Sequence, residues 1–171
     1  YLREHHKKIQ GELKDLKLQL KQLQIESVAR TNNLYIELVS TIELNQLVGK
    51  SISTLGGWAL SAETMLIIAK RFLELKPKVV VEFGGGTSTL VIALLAKKYS
   101  IDTQIISFDH DPVYAAKTQK LLGQDRCLDN HKIITAPIEG SWYKQEIVEA
   151  ELAAINEIGF CNKIITCFGT L

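Results

Sequence analysis

Glu82, Gly84, Gly85, Gly86 and, further along, Asp109 are the residues of this chain whose types and spacing could do chemistry. In Val79-Val80-Val81-Glu82-Phe83-Gly84-Gly85-Gly86-Thr87-Ser88-Thr89 a β-branched run ends at an acid and turns through three glycines. It then reopens as the apolar segment Leu90–Ala96. This pattern predicts a buried parallel strand feeding a helix through a glycine turn. Glycine lets a ligand approach the backbone, and the first-turn N–H groups of the helix, which lack intrahelical acceptors, face that ligand. A tight turn that binds nothing would carry the same glycines, so the turn alone is weakly specific. Asp109 closes a second apolar run, Ile105-Ile106-Ser107-Phe108, about twenty residues later, at a spacing where a carboxylate can accept hydrogen bonds from both hydroxyls of a ribose. Asp111 is the alternative acid, but Asp111-Pro112 reads as the N-cap and first turn of the next helix.

The elements that must position these residues alternate regularly from Lys78 onward. Strands are expected at Val79–Phe83, Gln104–Phe108, Lys132–Thr135 and Asn162–Phe168. Helices are expected at Ser88–Lys98, Val113–Leu122 (opened by Pro112) and Tyr143–Ile158. Such alternation predicts an α/β domain with right-handed βαβ units, a parallel sheet and a Rossmann-like architecture. Upstream, Ser61 caps a helix that runs to about Leu75, where Pro77 stops it. The stretch from Gly49 to Trp58 reads as a loop and as the domain boundary. A second helical segment is expected at about Asn33 to Val48, with Leu34, Leu38, Ile42 and Leu47 on one side.

The first thirty residues read as a long helix. Leu2, Ile9, Leu16 and Leu23 recur every seven residues, with His6, Leu13 and Leu20 at the complementary position. Lys and Glu residues fill the other faces, as in a coiled coil. A single apolar stripe has nothing to bury itself against, so a homodimeric coiled coil through residues 1–30 is expected; the alternative is a helix that packs back on its own domain. The division is therefore a helical extension over 1–48, a linker loop and helix over 49–77, and the cofactor-type domain over 78–171.

Composition sets wide bounds. The chain has 171 residues, 46% hydrophobic content and a formal net charge of +1. That charge argues neither for nor against nucleic acid. No basic patch interleaved with aromatics occurs outside the N-terminal segment, and no apolar run is long enough for a membrane helix. Neither a nucleic-acid nor a membrane partner is expected. Cys127, Cys161 and Cys167 lack metal-ligand spacing, and no metal is expected. With no signal-peptide pattern at Tyr1, the bland reading is a cytoplasmic protein with ordinary thiols.

A dinucleotide fingerprint would want glycine three residues past Gly86, and Thr89 stands there instead, which disfavours an NAD-dependent oxidoreductase. The spacing Glu82-x-Gly84-x-Gly86, with the acid at the strand end, resembles motif I of the class I S-adenosylmethionine-dependent methyltransferases. Ser88 stands where the longer form of that motif has a third glycine. The resemblance implies S-adenosylmethionine as cofactor. Gly84, Gly85, Gly86, Thr87 and Ser88 would pass under its amino-acid part and ribose, and Glu82 would reach its ammonium end. Asp109 would be the ribose acid. His110 would line the adenine pocket, although a partly exposed loop histidine is an equal reading, and Ile134–Ile138 would lie near the adenine. Leu55-Gly56-Gly57-Trp58-Ala59-Leu60-Ser61, the glycine loop and Phe108-Asp109-His110-Asp111-Pro112 together look like a bacterial O-methyltransferase-like group. That group often carries an N-terminal coiled coil and occurs among glycan-modifying proteins.

The resemblance therefore implies O-methyl transfer to a small molecule or sugar. In that family an apolar fourth strand commonly runs into Asp-Gly-Pro. Here Phe168 occupies the acid's place in Ile164-Ile165-Thr166-Cys167-Phe168-Gly169-Thr170-Leu171, so neither a metal ligand nor a general base carries over, and the catalytic residues stay unassigned. The expectation is a methyltransferase domain truncated after its fourth strand. The alternative is a degenerate, inactive domain that acts as a coiled-coil interaction protein.

Overall fold

The computed structural model describes residues 2–52, 60–127, 129–139, 142–143, 146, 149, 153 and 163–167. The chain divides into two compact units, one ending at Val39 and the other beginning at Ser40. The second unit thus starts earlier than the boundary expected in the loop at Gly49–Trp58.

Helix α1 is continuous over Leu2–Val48, where the sequence suggested two segments. The heptad pattern fails at Ser27 and Arg30, but nothing there breaks a helix. Thr31 turns its hydroxyl back onto the Ser27 carbonyl at 2.9 Å, a local bond that a helix accommodates. A lost apolar stripe is a change of face, not an end of helix. The buried face of the last turns also differs from the expected one. Ser40, Leu44 and Val48, spaced four apart, are buried, and of the expected row Leu47 packs partly buried against the same core, whereas Leu34, Leu38 and Ile42 are exposed. Two residues separate these rows, or about 200° around the helix, so they lie on nearly opposite sides. Within the second unit the end of α1 is held by Lys98, whose ammonium donates to the Gln46 and Leu47 carbonyls at 3.0 and 2.7 Å. A cation there suits the negative end of the helix dipole.

Helix α2 (Ala62–Leu75) begins at Ser61, whose side chain accepts from the Thr64 N–H, as its N-cap chemistry predicts. Strands β1 (Val79–Phe83), β2 (Gln104–Asp109), β3 (His131–Thr135) and β6 (Lys163–Cys167) form one parallel sheet in the order β3-β2-β1-β6. Between them run α3 (Thr87–Lys98) and α4 (Pro112–Gln124). All four expected strands are present, within a residue of their expected bounds. A short antiparallel pair, β4 (Ile138–Glu139) with β5 (Trp142–Tyr143), follows β3. Tyr143 is therefore in a strand and does not open the expected helix. Of that helix Glu146, Glu149 and Ala153 are described, and they are helical. The Leu55–Ala59 part of the expected linker motif and Phe168–Leu171 lie outside the described residues.

One sheet face carries Val80, Ile105 and Ile133 against a core that includes Leu44, Met65, Phe72, Val91 and Leu95. The other carries Val79, Val81, Ile106 and Phe108, with the Phe83 ring stacked on Phe108 at 5.3 Å. Buried on both faces, β1 needs the apolar run Val79–Val81 that the sequence supplies. The chain walks β1, β2, β3 in one direction, and β6 then returns to the far side of β1. This reversal opens a crevice beyond the carboxyl end of β1, where open α/β sheets hold their ligands. Among the described residues no helix is long and apolar enough to cross a membrane.

Candidate functional site

The glycine turn leaves β1 at that crevice. Gly84 (φ +88°) donates its N–H to the Phe108 carbonyl at 2.7 Å, which pins the turn to the end of β2. Gly85 donates to Asp109 Oδ2 at 3.3 Å. A Cβ on Gly85 would stand 3.1 Å from Thr118 Oγ1 and 3.2 Å from its methyl, so a side chain there would have to push Thr118 of α4 aside. Gly86 opens α3 with φ +149° and ψ −132°, a combination essentially confined to glycine. No atom lies within 4 Å of where its Cβ would be, so backbone geometry and not crowding demands glycine there. The Gly86 N–H is taken by Thr89 Oγ1 at 3.0 Å.

Asp109 sits at the end of β2 and is 4% exposed. Its Oδ2 holds Gly85, its Oδ1 accepts from the Asp111 N–H at 3.0 Å, and its carbonyl accepts from Ala136 at 2.8 Å. One residue thus ties together the ends of β1, β2 and β3. Two carboxylate oxygens offer about four acceptor sites, so capacity remains for a ligand hydroxyl. Asp111 serves another purpose: its side chain accepts from Val113 N–H at 2.7 Å as the N-cap of α4, with Pro112 in the first turn. His110 is half-exposed, its Nδ1 lying 3.8 Å from Asp109 Oδ1. Thr135 pairs with Asp109 in register, which brings the Ile134–Ile138 segment beside the same acid.

Glu82 lies beneath the loop and not on it. It is 0% exposed. Its Oε2 accepts from Ser88 Oγ at 3.1 Å, and its Oε1 accepts from the hydroxyls of Thr89 and Ser107. The acid and Ser88, both expected to touch a cofactor, are therefore turned toward each other inside the protein. Thr87 is also buried, at the first turn of α3. Burial raises the Glu82 pKa above its ordinary value; the Ser107, Thr89 and Ser88 hydroxyls oppose that rise, and Asp109 adds to it. Beyond Ser107 the network reaches His131 on β3, whose Nε2 lies 2.9 Å from Ser107 Oγ. Because Ser107 spends its proton on Glu82, it accepts from His131, which makes the imidazole the Nε2–H tautomer.

Ser107 and His131 were not singled out in the sequence. The available signal was a polar residue inside the apolar run Ile105–Phe108, since a polar group in a buried strand needs a partner. Burial lowers the His131 pKa from 6.5 to about 4. The native state therefore binds fewer protons than the unfolded chain between those values, and stability falls as pH drops from 6.5 toward 4. Allowing for the ring's partial contact with solvent, this loss amounts to about 2 kcal/mol. His131→Asn should remove it, so urea denaturation at about pH 7 and about pH 4.5 should show a smaller acid loss in the variant. Equal losses in both proteins would overturn the assignment.

Beside the site, a groove of about 210 Å³ runs between α4 (Pro112, Ala115, Gln119) and the outer strand (His131, Ile133, Thr135). Its Pro112–Thr135 end adjoins Asp109. Among the described residues no three His, Cys, Asp or Glu side chains are grouped to hold a metal ion.

No family model matches the chain, and no curated protein matches it significantly. Solved structures do. The SAH-bound methyltransferase PaMTH1 of Podospora anserina superposes with a TM-score of 0.50 at 18% identity, over 68% of this chain and 52% of that one. The tRNA (m1A58) methyltransferase TrmI of Aquifex aeolicus matches with a TM-score of 0.38 at 21% identity, over 53% of this chain and 35% of that one. The first likeness establishes a Rossmann-like fold, and this chain spans about half the length of PaMTH1.

Proposed function

We propose that the chain is the cofactor-binding part of a cytoplasmic S-adenosylmethionine-dependent methyltransferase that methylates an oxygen of a small molecule or sugar. The observation that carries this reading is the Gly84–Gly86 turn at the reversal of strand order, anchored on the Asp109 carboxylate. The residues fit such a cofactor: the space over Gly86 is open, and Asp109 keeps unused acceptor sites at the mouth of the crevice. Gly84, Gly85 and Gly86 would lie under the amino-acid part and ribose, Asp109 would accept from the ribose hydroxyls, and half-exposed His110 would flank the base. Thr87 and Ser88 contribute their backbone at the positive end of α3. The cofactor supplies a methyl group on a sulfonium, so alignment of donor and acceptor accounts for much of the rate. Glu82 acts at one remove, by holding Ser88 and Thr89 and with them the start of α3. The fold of the SAH-bound PaMTH1 structure supports this reading.

Calorimetry of the full chain with S-adenosylhomocysteine tests it. Saturable heat is expected, with none from NAD. Gly86→Ala should weaken binding about tenfold or more, because alanine avoids that backbone conformation at a cost of about 1–3 kcal/mol. A folded sample that gives no heat with S-adenosylhomocysteine overturns the proposal.

A further inference from the structure

The N-terminal unit presents a seam that nothing within that unit covers. Ile9, Leu13, Leu16, Leu20 and Leu23 are each between 50 and 60% exposed on one side of the continuous helix α1. From Leu2 to Leu23 they repeat over three heptads, the least that specifies a coiled coil. Leu34 lies eleven residues, or three turns, beyond Leu23 and is also exposed, so the same face resumes after the polar interruption at Ser27 and Arg30.

We infer that this seam is covered by a second copy of the chain, parallel and in register. Two features decide the occupant and its direction. The first lies in the layers. With His6, Leu13, Leu20 and Ser27 at the a positions and Leu2, Ile9, Leu16 and Leu23 at the d positions, a parallel in-register pair stacks each residue on its own copy. His6 then meets His6 and Ser27 meets Ser27. An antiparallel pair sets a layers against d layers and would seat each of these polar groups against apolar or charged residues. The second lies in the flanks. Across a parallel pair each g position faces the e position five residues on: His5 meets Gln10, Glu12 meets Lys17, and Gln19 meets Gln24. No like charges meet, and Glu12 with Lys17 forms an opposite-sign pair twice, once on each side of the two-fold axis. Within the helix Glu12 has only a long contact of 4.0 Å to Lys8, with both side chains well exposed, so it is available across the seam. The inference is independent of the cofactor reading, because none of these residues belongs to the glycine loop or its supports.

Sedimentation of the full chain tests it. Self-association is expected, and Leu16→Glu with Leu20→Glu should return monomers while leaving the thermal transition of the α/β unit in place. Glu12→Lys should weaken association about tenfold, because it sets an ammonium in place of the carboxylate against Lys17 of the other copy. Adding Lys17→Glu restores opposite signs and should bring association back to within about threefold of the wild type. An intrahelical role for Glu12 with Lys8 would not be rescued by the second change. Direction is read by oxidative cross-linking after the native cysteines are replaced by serine. Ile9→Cys and Leu20→Cys should each cross-link to their own copy, whereas cross-linking only between the two variants, which sets a d position against an a position, would mean an antiparallel pair. A monomeric wild-type chain or an antiparallel pair overturns the inference.

Discussion

Glu82→Leu should lower the stability of the α/β unit by about 4 kcal/mol, the largest single loss expected in this chain. The side chain is fully enclosed and accepts three hydroxyl bonds, from Ser88, Thr89 and Ser107. Leucine fills the space but leaves three buried hydroxyls without their acceptor, at a cost of about 1–3 kcal/mol for each that finds no other. Ser88 and Thr89 can turn to backbone carbonyls of their own helix, which offsets part of that cost; Ser107, in mid-strand, cannot. A domain with a total stability of about 5–15 kcal/mol would lose a large share of it. Glu82→Gln should cost only about 1 kcal/mol, since its carbonyl oxygen still accepts and its amide can donate to Ser88.

The two variants also separate by pH. Because burial raises the Glu82 pKa in the folded protein, the native state binds more protons than the unfolded chain from 4.5 up to the raised value. Stability contributed by this group therefore falls as pH rises through that window. Glu82→Gln lacks this decline and should gain on the wild type in urea melts as pH rises from 4.5. A leucine variant as stable as the wild type would show that the network does not hold the turn.

Asp109→Ala should cost about 3 kcal/mol of stability and at least about a hundredfold in affinity for S-adenosylhomocysteine. Two charge-assisted bonds disappear together, from Gly85 N–H and Asp111 N–H, and the Gly85 turn loses its anchor on β2. On the proposed reading the ligand loses its ribose acceptor in the same change. Asp111→Ala is the control: it removes an N-cap worth about 1 kcal/mol and should leave affinity unchanged. If the Asp109 and Asp111 variants lose affinity alike, the ribose role belongs to the turn as a whole and not to Asp109.

Much of the fold was legible because its signals are local. The β-branched run at Val79–Val81, the Ser61 and Asp111 caps, and Pro77 and Pro112 each act within a few residues on φ, ψ or an orphan N–H. The elements they bound accordingly fall where the sequence puts them. The glycine turn and Asp109 were legible for the same reason, since a strand end followed by glycine or acid needs no distant partner to be recognised. Tyr143 was misassigned because a two-residue strand carries too little periodicity to compete with a helical pattern.

By itself the sequence determined a parallel α/β domain with a glycine turn at a strand end and an acid at the next. Only the tertiary structure decided what those residues do. Glu82, Ser107 and His131 lie 25 and 24 residues apart, and only the parallel register of β1, β2 and β3 brings their side chains into one buried network. That register joins strands separated by whole crossovers, so no local pattern encodes it. Tertiary packing buried Glu82 beneath the loop among the hydroxyls of Ser88, Thr89 and Ser107, and it chose Ser40, Leu44 and Val48 as the face of α1 to bury. Periodicity shows that a helix has an apolar face, but which of two faces is covered depends on the neighbour that arrives.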